Sequence, residues 1–251
     1  MQYIFKYQSI DQIDKSEVLN SLKKNSFVIL RNLFDKKIVR GILKNIKKFD
    51  PNKDQIRKKN QYNKLKTNYQ RFMFGMSGGV NGLLKTHPKY HRNFYNPLFC
   101  KDIYKARGLL IKLAEIQNYF YGLEKNYGIK QKKTKHGLYI ASRFQHYPKG
   151  GGFLSAHKDE AAIKTARKLK IDLFYNCLLL MTQRGIDYKT GGGFVINKNK
   201  VIDYEKYAKA GDVLIYNSKT VHGVIDIDKK YMPDIRTKEG RYIAAVTLFK
   251  W

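Results

Sequence analysis

Cysteine and acidic side chains are scarce in this chain, and long apolar runs are missing. Of 251 residues only two are cysteines, Cys100 and Cys177. Two cysteines exclude a disulfide framework, and the lack of any C-x-x-C pair excludes a zinc ribbon. So little cysteine suits a reducing compartment, and a cytoplasmic location is expected. No apolar run approaches the ~20 residues that cross a bilayer. Cys177 to Met181 is among the longest and has the length of a buried strand. The opening MQYIFKYQSIDQIDKSE carries no apolar stretch of signal-peptide length. No Ser-His-Asp order and no nucleophile elbow is present, which removes the hydrolases built on them. The Gly-rich TGGGFVI lacks the Lys-Ser/Thr ending and following helix of a phosphate loop, so it reads as a turn into a strand.

Acidic residues number 20 against 50 basic ones, a net charge of +30. Such an excess points to a polyanion partner, nucleic acid or an anionic membrane surface. The composition argues for a blander origin. The basic residues are 39 lysines and 11 arginines, spread along the chain, and Asn, Ile and Tyr are abundant, as AT-rich coding DNA gives. Specific nucleic-acid readers favour the bidentate fork of arginine. Nucleic acid is therefore the less favoured reading of the charge.

Hydrophobic residues at 43% are ample for a buried core. The chain has no internal repeat and no long linker, and it reads as a single domain, 1–251. The first part, 1–136, is expected to be mostly helical support and lid. Helices are expected over Glu17 to Asn25 with Ser16 as N-cap, over Asp35 to Phe49, and over Asp102 to Tyr121. Ser26 to Leu30 reads as a strand. Residues 50–98 read as loops with short elements lying over a site. From 137 the pattern changes to eight short β-rich runs: GLYIASRFQHY, GGFLSAH, LFYNCLLLMT, GGFVIN, KVIDY, DVLIYN, TVHGVI and RYIAAVTLF. Eight strands with turn signals between them predict a sandwich or small barrel, so the fold class is mainly β with helical support (α+β). Glu160 to Lys170 interrupts them as a helical, basic flap.

The residues with a chemical message are His157, Asp159 and His222. On a strand, i and i+2 share a face, so His157 and Asp159 would point inward while Lys158 points away. His222 follows 63 residues after Asp159 in another strand-like run. Two imidazoles and one carboxylate on facing strands make a facial triad that leaves three positions open on an octahedral ion. Oxygen chemistry needs those positions, and two neutral ligands with one carboxylate leave Fe(II) oxidisable.

Four stretches in order, YPKGGGFLSAHKDE, TGGGFVI, AGDVLIYNSKTVHGV and GRYIAAVTLF, resemble the 2-oxoglutarate/Fe(II)-dependent oxygenases. The likeness covers roughly residues 137–250, and NSFVILRNLFDKKIV is similar to the entry segment of phytanoyl-hydroxylase and prolyl-hydroxylase-like members. It implies a double-stranded β-helix, a cupin-like jelly roll, over 137–251. It implies Fe(II) held by His157, Asp159 and His222, with 2-oxoglutarate and O2 as cosubstrates. It implies Arg241 as the partner of the distal 2-oxoglutarate carboxylate, where a guanidinium fork suits the task. Thr247 is a further hydroxyl on that strand. Arg241 stands 19 residues after His222, longer than the family's gap of about ten to fifteen. Arg236, in the polar insertion between them, is the rival anchor. A carboxylate at Asp159 argues for hydroxylation over halogenation, since halogenating relatives have a small residue there.

The implied activity is a dioxygenase, an oxidoreductase that hydroxylates a small molecule such as an amino acid or natural-product intermediate. A nucleic-acid demethylase of the same chemistry is the alternative, weakened because Lys250 stands where a second Arg is expected. A non-catalytic cupin-like binding protein is the third reading, and it leaves three convergent ligands without purpose. Arg143, Gln145 and Tyr147 share one face of the strand before the metal strand. Facing inward they reach cosubstrate or substrate; facing outward they leave Phe144 and His146 inside. Asn176 either meets the 1-carboxylate region or caps a backbone group. Glu160 reads as a solvated loop carboxylate. His87, His91 and His136 read as surface histidines, and Trp251 as a cap on the core.

Overall fold

The computed structural model describes residues 2–49, 68–75, 87–130, 137–160, 162–163, 167, 170 and 175–250. All eight β-rich runs are strands: β5 (Leu138–Pro148), β6 (Gly152–His157), β7 (Tyr175–Leu180), β8 (Gly192–Asn197), β9 (Lys200–Asp203), β10 (Val213–Asn217), β11 (His222–Ile227) and β12 (Gly240–Lys250). They form two four-stranded layers. One has the order β10-β7-β12-β5 and the other β6-β11-β8-β9, with every pair antiparallel. This is the expected double-stranded β-helix.

Strand alternation builds the core and the site at once. On β12, Tyr242, Ala244, Val246 and Leu248 enter the large apolar cluster that also holds the helices. Arg241, Ile243 and Thr247 take the opposite face and line a pocket. On β5, Ile140 and Phe144 join the same cluster while Arg143, Gln145 and Tyr147 line the pocket. The helix-side face is covered by α3 (Arg107–Tyr121), which packs on β7 and β12 and buries Leu110, Leu113, Ile116 and Phe120. Each such side chain contributes ~1.5–3 kcal/mol relative to exposure.

The N-terminal part adds strands as well as helices. β1 (Ile4–Lys6) pairs with β2 (Val28–Arg31), which extends the first layer at β10. Arg31 clamps Asp212 before β10 through Nε (3.0 Å) and Nη2 (2.8 Å). The first helix, α1 (Lys15–Asn25), starts earlier than expected. Asp14, not Ser16, is its N-cap, accepting from the Glu17 N–H, and Ser16 donates to the same carboxylate. The second, α2 (Lys36–Lys48), is capped by Asp35 and buries Val39, Ile42, Leu43 and Ile46, while Ile38 stays exposed.

Within 50–98, read as loops with short elements, the described residues include two paired strands, β3 (Tyr69–Gly75) with β4 (Lys89–Tyr95). β4 pairs with β5 at Arg92↔His146 to Tyr95↔Arg143, and with β6 at Lys89↔Leu154 and Tyr90↔Phe153. It thus bridges the two layers. The insertion 228–239 between β11 and β12 is fastened by buried Arg92, whose Nη2 donates to the Ile235 carbonyl (2.6 Å). Most of the expected flap, with His136 and Trp251, lies outside the described residues. Among the described residues no helix is long and apolar enough to cross a membrane.

Candidate metal centre and cosubstrate pocket

His157 ends β6, His222 opens β11, and the two are register partners across the sheet. Their ring centroids lie 4.3 Å apart. Asp159 stands beyond the strand end, so alternation alone does not place it. Its backbone N–H donates to the Ser218 carbonyl (3.1 Å), which turns the chain back over the histidines. Its Oδ1 is 3.7 Å from His157 Nε2 and its Oδ2 3.4 Å from His222 Nε2. Lys158 is exposed, as expected.

The second ring nitrogens settle the tautomers. His157 Nδ1 lies 2.9 Å from the Ser155 carbonyl and His222 Nδ1 3.0 Å from the Thr220 carbonyl. Each Nδ1 therefore carries a proton, and both Nε2 atoms face Asp159. Backbone carbonyls orient metal-binding histidines in this way. Burial, then His222, push the His157 pKa down to about 4, against the pull of Asp159, so the ring is neutral at pH 7. One ligand atom from each of the three residues lies within 4.8 Å of the others. This donor set fits Fe(II) and leaves positions open for a chelating cosubstrate.

Asn176 lines the pocket beside the triad. Its Nδ2 donates to Asp159 Oδ2 at 2.6 Å and fixes the carboxylate. The ring of His87 lies 5.0 Å from that of His157, and His91 is buried on β4 against Tyr147. Both were expected on the surface. His146 faces away from the pocket. It is buried against Tyr242, with Nε2 2.9 Å from the Glu239 carbonyl.

The triad opens into a pocket of about 180 Å³. Arg241 lies at its far end, 1% exposed. Its Nε donates to Glu205 Oε1 (2.7 Å) and its Nη2 to the Tyr204 hydroxyl (3.1 Å). Glu205 also accepts from Tyr188 (2.6 Å) and from the Gly193 N–H (3.0 Å). Gly193 is required there, since a Cβ would collide with the Tyr204 hydroxyl. Burial opposes the Arg241 charge, but Glu205 and then Tyr204, Tyr188 and Tyr147 outweigh it and hold its pKa up. Arg241 Nη1 is buried with no hydrogen-bond partner among the described residues. A buried guanidinium N–H left open at a pocket wall suits an incoming carboxylate. Arg236, the rival, is exposed in the insertion and does not line the pocket.

Arg143, Gln145, Tyr147 and Thr247 all line the pocket, which decides the open question of the β5 face. Arg143 Nη1 donates to Thr247 Oγ1 (3.1 Å).

The fold has relatives among solved structures. A prolyl hydroxylase from Trichoplax adhaerens, in complex with a hypoxia inducible factor oxygen degradation domain peptide fragment, is 14% identical with a TM-score of 0.54. It covers 94% of this chain and 89% of that one. A Pseudomonas putida prolyl-4-hydroxylase is 11% identical with a TM-score of 0.53, over 94% and 99% of the two chains. A Caulobacter crescentus chain assigned to the 2OG-Fe(II) oxygenase family is 14% identical with a TM-score of 0.52, over 98% and 86%. This chain has the fold of the 2OG-Fe(II) oxygenases. No family model matches the sequence, and no curated protein does.

Sequence reasoning missed the Glu205, Tyr204 and Tyr188 cage around Arg241. The available signal was Glu205 itself, an acid inside a β-rich stretch of an acid-poor chain. Nothing local to Asn176 marks it as the partner of Asp159.

Proposed function

We propose that this protein is an Fe(II)/2-oxoglutarate-dependent oxygenase that hydroxylates a small molecule. The observation that carries the reading is the convergence of His157 Nε2, His222 Nε2 and the Asp159 carboxylate, with each Nδ1 tied to a carbonyl. His157, Asp159 and His222 would hold the metal, and Arg241 would receive the distal carboxylate of 2-oxoglutarate. Bound there, the two supply oxygen activation, with decarboxylation of 2-oxoglutarate to succinate and CO2. The chain supplies orientation. Asn176 holds Asp159, Glu205 holds Arg241, and the apolar wall of Leu154, Leu178 and Val224 excludes water from the space between.

A pocket of about 180 Å³ supports a small substrate group beside the cosubstrate. A peptide is the second reading, favoured by the peptide held in the Trichoplax relative. The test is anaerobic addition of Fe(II) and 2-oxoglutarate to the metal-free protein. A visible metal-to-ligand charge-transfer band is expected, and its loss in His157→Ala. No band in folded wild-type protein overturns the reading.

A further inference from the structure

We propose that Arg143 and Thr247 form an anion-binding subsite for the primary substrate, which therefore carries a carboxylate or phosphate group close to the atom oxidised. The inference rests on the oxygenase reading above.

Register places the pair. Arg241 is opposite Tyr147, next to the Gly240↔Pro148 end of the β5–β12 ladder. Arg143 stands four residues back along β5, opposite Ala245. At ~3.3 Å per residue this separates the two along the strand by about 13 Å. Ala245 in turn pairs with Leu178 on β7. Continuing that register puts Thr247 beside Asn176, whose amide grips Asp159. Arg241 thus marks the end remote from the metal ligands, and Arg143 with Thr247 the end next to them.

Chemistry separates the two arginines further. Arg241 is enclosed by Glu205 and Tyr204 and is already assigned to the cosubstrate. Arg143 is part-exposed, and among the described residues no carboxylate pairs with it. Among the described residues Asp159 is the one carboxylate lining the pocket, and the triad uses it. Thr247 accepts from Nη1 of Arg143 and steadies the guanidinium, leaving its other N–H groups for a ligand. A guanidinium so held takes two oxygens of a carboxylate or phosphate together. Lys89 on β4 adds to the same positive field, and with Arg143 it helps hold buried His91 uncharged after burial itself. A neutral substrate leaves Arg143 without a counter-charge among the described residues.

The test uses the full chain loaded with Mn(II), which sites of this type accept, and with saturating 2-oxoglutarate. The paramagnetic ion broadens resonances of any molecule held near it. Phenyl phosphate is followed by its phosphorus resonance, and benzoate and neutral benzamide by their ring protons. The expected result is an affinity about tenfold or more higher for one of the two anions than for benzamide. The anion that gains more identifies the group. Arg143→Gln removes that preference, Arg143→Lys restores part of it, and Thr247→Val weakens it about threefold. Calorimetric affinity for 2-oxoglutarate stays within about threefold of wild type in Arg143→Gln and falls about tenfold or more in Arg241→Gln. Benzamide binding as well as the anions in wild type overturns the proposal without needing any variant to fold. An equal loss of 2-oxoglutarate affinity in Arg143→Gln and Arg241→Gln also overturns it, by making Arg143 a cosubstrate anchor. Either result leaves the oxygenase reading standing. Failure of the wild type to take up Mn(II) and 2-oxoglutarate overturns both.

Discussion

Arg241 and Arg143 project from neighbouring strands into one pocket and carry the same charge, yet the fold treats them in opposite ways. Arg241 is buried, with a carboxylate and a tyrosine committed to it and a glycine cleared to let them in. Arg143 has a single threonine hydroxyl and access to water. A buried guanidinium needs a partner before any ligand arrives, because an unpaired charge in the interior costs several kcal/mol. A part-exposed one keeps its hydration and can wait for its ligand. Permanent partners at one end and an open cation at the other divide the pocket into a preformed half and an adaptable half.

The sharpest way to break this comparison is to remove the permanent partner. Glu205→Gln leaves Arg241 buried without its counter-charge and is expected to cost about 3–5 kcal/mol in urea unfolding. Arg143→Gln should change stability by less than about 0.5 kcal/mol. Equal losses would mean that Arg143 is structural too. Acid gives the next largest effect. His91 and His146 are buried and held at a pKa of about 3, mainly by burial, against an ordinary value of 6.5. The folded state therefore binds fewer protons than the unfolded chain over that window. Their contribution to stability is complete above pH 6.5 and falls as pH drops toward 3. Each pH unit in the window costs up to about 1.4 kcal/mol per histidine. Unfolding free energies of the metal-free protein at pH 7.5 and pH 5 check this, and a flat profile would contradict the burial of both rings. The smallest effect is expected at the metal. Asn176→Ala frees one oxygen of Asp159 and should weaken metal binding about tenfold, measured by competition with a chelator.

The eight strands of the jelly roll were legible because each is a short apolar run bounded by Gly, Asn or Asp. The grouping of His157, Asp159 and His222 was legible because these side chains are chemically distinctive, and the place of Arg241 on the pocket wall because it opens the last strand. β3 and β4 were not. All of β4 after Lys89 is buried, so KYHRNFY has no period of two, and its polar residues point to buried faces instead of water. His91 was misread for the same reason. Asp159 joins the two histidines without the strand geometry expected of it, and a backbone bond to Ser218 holds it there. The Arg241–Glu205 pair joins positions 36 residues apart through sheet register, which no local pattern reveals.

The insertion between β11 and β12 has one more consequence. Its ends are set by two strands in the same frame, and Arg92 ties down its middle. Its length can therefore change while His222 and Arg241 stay where they are. Separation along the chain between His222 and Arg241 is therefore not what sets their positions; their places in the strand ladders are. Recognition of such chains should accordingly compare strand positions, with the connecting segment treated as a gap of any size.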